Sequence, residues 1–266
     1  MVSGIHFFRD SNLPFFELKL CNTTELSYKK HAHEEYSLSI VDHGSSSFWY
    51  EGKTAEIYPK TVVLLPPESM HACNPVHHNR WQYKMLYINA KWFRSFMKNR
   101  GFRLFKTPII RYDSNKIFHM TNQMLVSLSG NVSPLEKEAS ILAVFEQIIR
   151  REQGIDDIDY RRDEPKVKVV REYLHSNFLK RVTLDQLEQV SGLNKFNIIH
   201  LFKETFSITP HNYQTSLRIN HAKKELRKLR PIIEVALDTG FYDQSHFSKV
   251  FKNYVGITPD KYQKSI

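Results

Sequence analysis

The second half of the chain contains one unit of about fifty residues twice. Ser191-Gly192-Leu193 recurs as Thr239-Gly240-Phe241, 48 residues later. Ile208-Thr209-Pro210 recurs as Ile257-Thr258-Pro259, 49 residues later, so a single inserted residue reconciles the two offsets. Self-similarity at a fixed period marks one supersecondary unit that is used more than once. Any fold predicted for this chain must therefore contain two copies of the same small unit.

The first copy, over about 183–206, predicts two short helices joined by a tight turn. Thr183 is placed as an N-cap, and Gln186 stands three residues later at the capping-box position. Gly192 follows the first helix, where a glycine can adopt the positive φ of a turn. Asn194 can cap the second helix. Two helices joined in this way form a helix-turn-helix unit.

The second copy, over about 231–254, repeats this arrangement of caps and turns. Pro231 stands where a first helical residue is expected, Gly240 is placed in the turn, and Asp243 can cap the second helix. A further helix is predicted after each copy, because Thr209-Pro210 and its counterpart in the repeat combine an N-cap residue with a proline. The sequence thus predicts a C-terminal all-α domain with two helix-turn-helix units.

The second helix of each unit has an inward face and an outward face. The inward residues are Ile198, Leu201, Phe202, Thr205, Phe247, Val250, Phe251 and Tyr254. The outward residues, which we predict to contact DNA, are Lys195, Phe196, Ile199, His200, Lys203, Gln244, Ser245, His246, Ser248, Lys249 and Lys252. In a major groove, apolar side chains contact thymine methyl groups and Gln binds adenine, while lysines bind phosphates. The predicted partner is double-stranded DNA.

The charge of the C-terminal region agrees with this prediction. Residues 165–266 carry 17 Lys and Arg against 9 Asp and Glu, a net charge of +8. Such a basic excess favours a polyanionic partner, most often nucleic acid. The alternative is an all-α domain whose basic helices merely face solvent. A motif match that occurs once carries a real risk of chance, and the repetition of caps and turns makes that alternative the weaker one.

Residues 240–252, followed by Gly256-Ile257-Thr258-Pro259 and Tyr262, resemble the signature of the AraC/XylS family of transcription regulators. The resemblance extends over about 165–263. It implies a long joining helix at about 210–229 and two recognition helices that enter successive major grooves, about 34 Å apart.

Individual residues both follow and depart from the family pattern. On the joining helix, Arg218 and Ala222 are similar to the residues of the family. His200 stands where the family often has arginine, and Asn194 where it often has serine. A neutral histidine contacts DNA less strongly than arginine, so His200 is expected to be a weaker contact than the arginine that the family often has at this position.

Residues 15 to about 90 predict a β-rich domain. Strand-like runs occur at 36–41, 46–50, 55–58, 61–65 and 83–88, with turn residues between them. Many short strands with regular turns predict a barrel or a sandwich. The run from His31 to Tyr36, and the run from Pro66 to His71 after a later strand, resemble the cupin-like, jelly-roll sensor domain that precedes AraC-type DNA-binding domains.

From about residue 114 the apolar period changes to that of helices, and it predicts an antiparallel helical pair over 114–152. This pair packs on the β domain or forms a dimer seam. We therefore predict a cupin-like sensor and dimerisation domain at 1–152, a polar linker at 153–164 and an AraC-type DNA-binding domain at 165–266.

Histidines and aromatic residues of the β domain suggest a ligand site. The candidates are His31, His33, Tyr36, Trp49, Tyr50, His71 and Tyr87. Three histidines could hold Zn or Fe, but the glutamate that follows the His-x-His pair in metal-binding cupins is replaced by Ser37 and Leu38. The histidines could also simply form hydrogen bonds. We favour a pocket for an organic effector, and we expect no metal and no cofactor.

The predicted function is an effector-responsive, sequence-specific transcription activator that forms a homodimer and contacts RNA polymerase. No apolar run approaches the roughly 20 residues of a membrane span, and no signal peptide is visible, so we expect a cytoplasmic protein without membrane contact. We expect no enzymatic activity. Two alternatives remain open: a metal-dependent cupin enzyme with a DNA-binding tail, and a ligand-independent regulator whose β domain only dimerises.

Overall fold

The computed structural model describes residues 4–23, 28–50, 52–76, 80–111, 115–130, 132–152 and 165–265. The predicted linker at 153–164 lies outside these ranges. The strands, in chain order, are β1 (Gly4–Phe8), β2 (Phe16–Thr23), β3 (Tyr36–His43), β4 (Ser46–Tyr50), β5 (Lys53–Ile57), β6 (Val62–Leu65), β7 (His71–Pro75), β8 (Trp81–Ile88) and β9 (Ile109–Arg111).

The described strands form two antiparallel sheets rather than one closed barrel. The larger sheet has the order β1-β2-β8-β3-β6-β9, and the smaller has the order β5-β4-β7. In the larger sheet, Leu38 of β3 lies opposite Leu64 of β6 on one side and Leu86 of β8 on the other. Phe48 and Ile57 of the smaller sheet pack in one core with residues of the larger. The predicted β domain is thus present as two packed sheets of jelly-roll character.

Three helices cover the outer face of the larger sheet: α1 (Ala90–Asn99), α2 (Asn115–Leu128) and α3 (Pro134–Glu152). The pair α2 and α3 occupies the region where the sequence predicts two helices. The sequence interpretation missed α1, which begins shortly after β8, where the Asn89 side chain accepts hydrogen bonds from the backbone N–H groups of Lys91 and Trp92. Phe93 of α1 and Phe145 of α3 meet edge to face in this core, with ring centroids 4.9 Å apart.

The C-terminal domain is all helical. Its helices are α4 (Pro165–Asn177), α5 (Leu184–Ser191), α6 (Lys195–Phe206), α7 (Pro210–Arg227), α8 (Ile232–Asp238), α9 (Gln244–Val255) and α10 (Pro259–Lys264). α5 and α6 form the first helix-turn-helix unit, α8 and α9 form the second, and α7 joins them. Within the described ranges, no helix combines the length and apolar content needed to cross a bilayer.

The predicted caps and turns are confirmed in both units. Thr183 and Gln186 form a reciprocal capping box, and Gly192 adopts a left-handed conformation with φ of 65°. Asn194 caps α6 and Asp243 caps α9 through their side chains. Pro231 differs slightly from the prediction, because it precedes α8 as the cap residue instead of opening the helix.

The predicted inward faces are buried. Ile198, Phe202, Phe247 and Phe251 lie in the core, and Tyr254 packs beside them. Leu201, Thr205 and Val250 are only half-buried. Burial of this face fixes which side of α6 and α9 remains available to a partner.

Candidate nucleic-acid interface and ligand cavity

The outward face of α6 is exposed, as the sequence predicts. Lys195, Ile199, His200 and Lys203 are all exposed to solvent. The Lys195 ammonium forms an ion pair with Asp185 of α5. An exposed pair of this kind is worth less than about 1 kcal/mol, so a phosphate can replace the carboxylate at little cost. The side chain of Phe196 lies outside the described residues.

The outward face of α9 is also exposed. Gln244, Ser245, His246, Lys249 and Lys252 are exposed, and Ser248 is half-buried. In each unit, the exposed side chains of the second helix therefore project to one side, and they occupy corresponding positions in the two copies. The lysines and the N-terminal ends of both helices place positive charge on this face, and such charge is suited to phosphate groups.

The sequence interpretation missed two residues of this surface. Asn197 is exposed on α6, at the position that corresponds to His246 in the 49-residue offset. Tyr242 is 90% exposed immediately before α9. Comparison of the two copies position by position would have found Asn197, whereas the exposure of Tyr242 has no signal in the sequence.

Arg218 of α7 connects the two units. Its Nε donates to the carbonyl oxygen of Phe178 at 2.7 Å and its Nη2 to that of Lys180 at 2.9 Å, while its Nη1 donates to that of Gly240 at 3.0 Å. Gln214 donates to the same first two carbonyls, at 3.0 and 2.8 Å. A Cβ atom on Gly240 would lie 2.8 Å from Arg218 Cζ. The turn glycine therefore permits the close approach that fixes one unit relative to the other.

A cavity of about 30 Å³ lies between the two sheets of the β domain. Its lining comprises Lys19, Tyr28, His31, His33, Ser39, Val41, Ile57, His71, Cys73, Trp81, Tyr83, Met85 and Tyr87. Four of the predicted ligand residues, His31, His33, His71 and Tyr87, are thus brought together in its wall. The volume accommodates one or two water molecules, so an organic ligand must widen it.

Three of the predicted ligand residues lie elsewhere. Tyr36 points to the opposite face of the larger sheet, where its ring packs 4.1 Å from that of Phe93. Trp49 lies under the ammonium of Lys30, 3.6 Å from the ring centroid, and Tyr50 stacks on Phe48. These three residues were predicted to line the pocket because they are aromatic. Strand alternation alone did not reveal which side of the sheet each side chain would face.

A wider groove of about 660 Å³ opens beside the cavity, between the β domain and the helical domain. Its wall includes charged residues of both domains, among them Glu34, Arg94 and Lys224. Tyr87 lines both the groove and the cavity. The groove therefore leads to the cavity wall at this tyrosine.

A buried ion cluster joins the two domains at Glu17 of β2, which is 1% exposed. Its Oε2 accepts hydrogen bonds from Arg9 Nε and Tyr262 Oη, both at 2.7 Å, and lies 2.8 Å from Arg227 Nη2. Its Oε1 lies 3.6 Å from Lys223 Nζ. Burial alone would raise the pKa of Glu17, but Lys223, Arg227 and Arg9 outweigh it and lower the pKa to about 2.

Lys19 connects the cavity to the second recognition helix. Its Nζ donates to Tyr28 Oη at 3.0 Å and to the carbonyl oxygen of Val255 at 2.9 Å. Val255 is the last residue of α9, where the helix dipole places partial negative charge. Burial lowers the pKa of Lys19 to about 8. One side chain of the cavity wall thus binds the carbonyl end of the second helix in the second helix-turn-helix unit.

The joining helix α7 docks on the segment that carries two of the cavity histidines. Ser216 Oγ and Asn220 Nδ2 donate to the carbonyl oxygen of Ala32, at 3.4 and 3.2 Å. Lys224 of α7 forms an ion pair with Glu34. Because Ala32 stands between His31 and His33, one short segment both lines the cavity and binds α7.

Comparison with known proteins finds one family match in the β domain and its helices and another in the helical domain. Residues 17–145 match the family of AraC-like ligand binding domains, and residues 187–265 match a helix-turn-helix domain family. The uncharacterized HTH-type transcriptional regulator YbfI of Bacillus subtilis is 27% identical over 227 residues, 82% of this chain and 81% of that protein. The HTH-type transcriptional activator RhaS of Mannheimia succiniciproducens is 24% identical over 237 residues, 87% of this chain and 88% of that protein.

Solved structures share the whole two-domain fold. An apo ToxT variant from Vibrio cholerae superposes with a TM-score of 0.65 at 15% identity, covering 94% of this chain and 97% of that chain. ToxT with a bound unsaturated fatty acid gives a TM-score of 0.62 at 15% identity, covering 97% and 98% of the two chains. The arrangement of a β domain against a tandem helix-turn-helix domain is therefore shared with these structures.

Proposed function

Because the chain belongs to the AraC family of transcription regulators, we propose that it activates transcription when an effector enters the cavity of its β domain. One observation supports this mechanism above the others. Lys19 lines the cavity and also binds the carbonyl end of α9. A ligand that displaces Lys19 therefore acts on a DNA-reading helix without an intermediate element.

The effector shifts a population between two arrangements of the domains. In the structure the cavity is small and α7 is docked through Ala32, Lys223 and Arg227. An organic ligand must widen the cavity and press on the segment that carries His31 and His33. A ligand that binds the widened form more tightly than the closed form favours release of α7. The size of this effect equals the difference between its binding free energies for the two forms. Release frees the two helix-turn-helix units to match the spacing of two major grooves.

The wall of the cavity favours an effector with a negatively charged group and an apolar body. Lys19 supplies the buried positive charge, and Trp81, Tyr83 and Met85 supply apolar surface. The fatty acid in the ToxT structure has this combination. A thermal-shift screen of fatty acids, other small acids and sugars tests the proposal, since a ligand at 100 times its Kd adds about 2.7 kcal/mol of stability. Stabilisation by neutral sugars alone would contradict it.

We further propose that the active regulator is a homodimer, contacts RNA polymerase and has no catalytic activity. The outer surfaces of α2 and α3 expose Val126 and Leu135, which are 54% and 76% exposed. Apolar side chains on a helical pair that faces away from the DNA-binding domain favour a self-complementary contact. Sedimentation of the purified protein tests this, and Leu135→Glu is expected to shift the population to monomer.

The proposed DNA contacts are tested by two variants of one helix. Gln244→Ala is expected to relax base preference at a single position, at a cost of about 1–3 kcal/mol for the preferred base, because glutamine binds adenine with two hydrogen bonds. Lys249→Ala is expected to weaken binding to all sequences alike and to reduce the salt slope by about 1, because its ammonium binds phosphate. Selection from a random duplex pool, followed by binding titrations at several salt concentrations, measures both effects.

The two variants control for each other, because both residues lie exposed on α9. Uniform loss of affinity in Gln244→Ala would contradict base reading by that residue. The same selection, repeated with and without ligands from the thermal-shift screen, tests the effector response. An unchanged set of selected sequences and unchanged affinity with a confirmed ligand would contradict the proposed mechanism.

A further inference from the structure

The cavity wall contains three histidines whose ring nitrogens converge. His31, His33 and His71 are all buried, and their ligand atoms lie within 4.8 Å of one another. The ring centroids are 4.6 to 4.8 Å apart. Regular backbone pairing creates this arrangement. His31 and His71 exchange backbone hydrogen bonds of 3.0 and 2.9 Å across an antiparallel bridge, and His33 follows two residues later, on the same side of an extended segment.

Two of the rings are oriented by backbone carbonyl groups. His31 Nδ1 lies 2.7 Å from the carbonyl oxygen of Lys29, and His71 Nδ1 lies 2.9 Å from that of Ser69. A carbonyl oxygen only accepts hydrogen bonds, so Nδ1 carries the proton in both rings and Nε2 presents a lone pair. Metal-binding histidines are commonly fixed in this way by a hydrogen bond from the other ring nitrogen to a carbonyl group.

The third ring provides a free nitrogen. Among the residues that the structure describes, His33 Nε2 is buried and has no hydrogen-bond partner. A buried polar atom without a partner is costly, and a metal ion would satisfy it. Burial also lowers the pKa of all three histidines, that of His71 to about 4, so the rings stay neutral and can act as ligands near neutral pH.

From this geometry we propose that His31, His33 and His71 form a binding site for a divalent transition metal ion of the zinc class, with a fourth position open to the cavity. Nitrogen ligands of tetrahedral zinc lie about 2.0–2.1 Å from the metal. The rings must therefore close by a distance on the order of 1 Å from their positions in the structure. Imidazole nitrogen is a preferred ligand for such ions. This site does not depend on the proposed response to an organic effector.

The charges around the site select what occupies the fourth position. Lys19 and Lys223 lie close enough to disfavour positive charge on the histidines. They also disfavour a bare dication, whereas a metal ion that carries an anion, such as a carboxylate, is stabilised by them. We therefore expect the bound metal to take a small anion as its fourth ligand, on the side of the cavity.

The site is tested by metal titration of the full chain, purified without a histidine tag and stripped of metal. We expect one equivalent of Zn²⁺ per chain, and visible absorption bands of tetrahedral Co²⁺ when cobalt is used as the probe. Addition of acetate is expected to shift those bands. Less than one equivalent of bound metal would overturn the site, and bands that do not respond to acetate would overturn the open fourth position.

Variants identify the ligands. His33→Gln and His71→Asn are each expected to weaken binding of Zn²⁺ by at least roughly 10- to 100-fold, since even outer partners of metal ligands contribute that much. His119→Gln, which alters an exposed histidine on α2, is the matched control and is expected to bind as the parent does. Parent-like affinity in His33→Gln would overturn the proposal.

Should either variant fail to fold, X-ray absorption of the zinc-loaded parent protein decides. Three imidazole ligands at about 2.0–2.1 Å are expected, and a spectrum with fewer imidazole ligands would overturn the assignment.

Discussion

Replacement of Glu17 with Gln is expected to lower the free energy of unfolding by about 3–5 kcal/mol, because it leaves buried cations without their carboxylate. Arg9, Lys223 and Arg227 all face this one side chain, which is 1% exposed. Urea denaturation, followed by tryptophan fluorescence and by far-UV circular dichroism, measures the loss. Since two of the cations belong to α7, we also expect the single transition to split as the domains unfold separately.

The matched control is Asp260→Asn, which removes an exposed ion pair with Lys264 in α10. Such pairs contribute about 0–1 kcal/mol, so this variant is expected to unfold with the parent. In Glu17→Gln the DNA-binding domain loses a tether to the sensor domain, and the effect of a ligand on DNA affinity should fall with it. An unchanged unfolding profile would show that the ion cluster does not hold the domains together.

The same carboxylate predicts a dependence on pH. Its folded pKa of about 2 lies below the ordinary value of 4.5. The stabilisation is therefore complete above about pH 4.5 and is lost as the pH falls toward 2. A tenfold change in proton affinity corresponds to about 1.4 kcal/mol, so the lowered pKa of Glu17 contributes about 3 kcal/mol to the free energy of unfolding. The parent protein is expected to lose this stability between these pH values, and Glu17→Gln is expected to show a flatter profile over the same interval.

Gly256→Ala is expected to displace the end of α9 from the sensor domain. Gly256 caps that helix with φ of 96°, a conformation in which an L side chain is strained. A Cβ atom there would lie 2.6 Å from Ile5 Cδ1 and 2.8 Å from Tyr28 Oη. Tyr28 has little freedom to move, because its hydroxyl bonds to Lys19 and Tyr83. We expect a loss of stability of about 2–4 kcal/mol, from strain and overpacking together.

Gly192→Ala separates these two contributions. Gly192 caps α5 with φ of 65°, and nothing lies within 4 Å of the position of its Cβ atom. Gly192→Ala therefore adds backbone strain without a steric clash, and it is expected to lower the stability by about 1 kcal/mol or slightly more. Thermal unfolding of both variants gives the comparison. Equal losses would show that Gly256 is needed only for its conformation, and that its closeness to the sensor domain contributes nothing.

The sequence predicted the helical domain well because the signals there are local. A capping box at Thr183, a left-handed turn at Gly192 and a cap at Asp243 each depend on a few neighbouring residues, and all three are present in the structure. Repetition of these signals removed the ambiguity that a single unit would have left. The exposed faces of α6 and α9 then followed from helical periodicity.

The seam between the domains could not be predicted in the same way. Glu17 and Lys19 alternate with apolar residues along β2, a pattern typical of polar side chains that face solvent. Their partners Tyr262 and Val255 stand 245 and 236 positions away in the chain. Pairs at such separation leave no local pattern. From the sequence alone, Glu17 and Lys19 therefore look like ordinary solvent-facing positions of a strand. In the structure they are among the most buried charged residues of the described ranges.

The candidate ligand site was predicted in part, for a related reason. His31, His33 and His71 meet because a backbone bridge places two of them opposite each other. Their spacing in the sequence suggested proximity, and the structure adds the orientation of the rings. Tyr36 lies in β3 of the larger sheet but faces the helices. Since a strand places neighbouring side chains on opposite faces, a list of aromatic residues does not tell which of them face the cavity.

Lys19 bridges the cavity and the carbonyl end of α9, and this single contact has a consequence for how the regulator measures concentration. Coupling between two binding sites is reciprocal, so target DNA must change the affinity of the cavity by the same factor by which the cavity's occupant changes the affinity for DNA. A regulator bound to its promoter and a regulator free in solution would then respond to different concentrations of the effector. The promoter itself would set the concentration at which its own gene is switched.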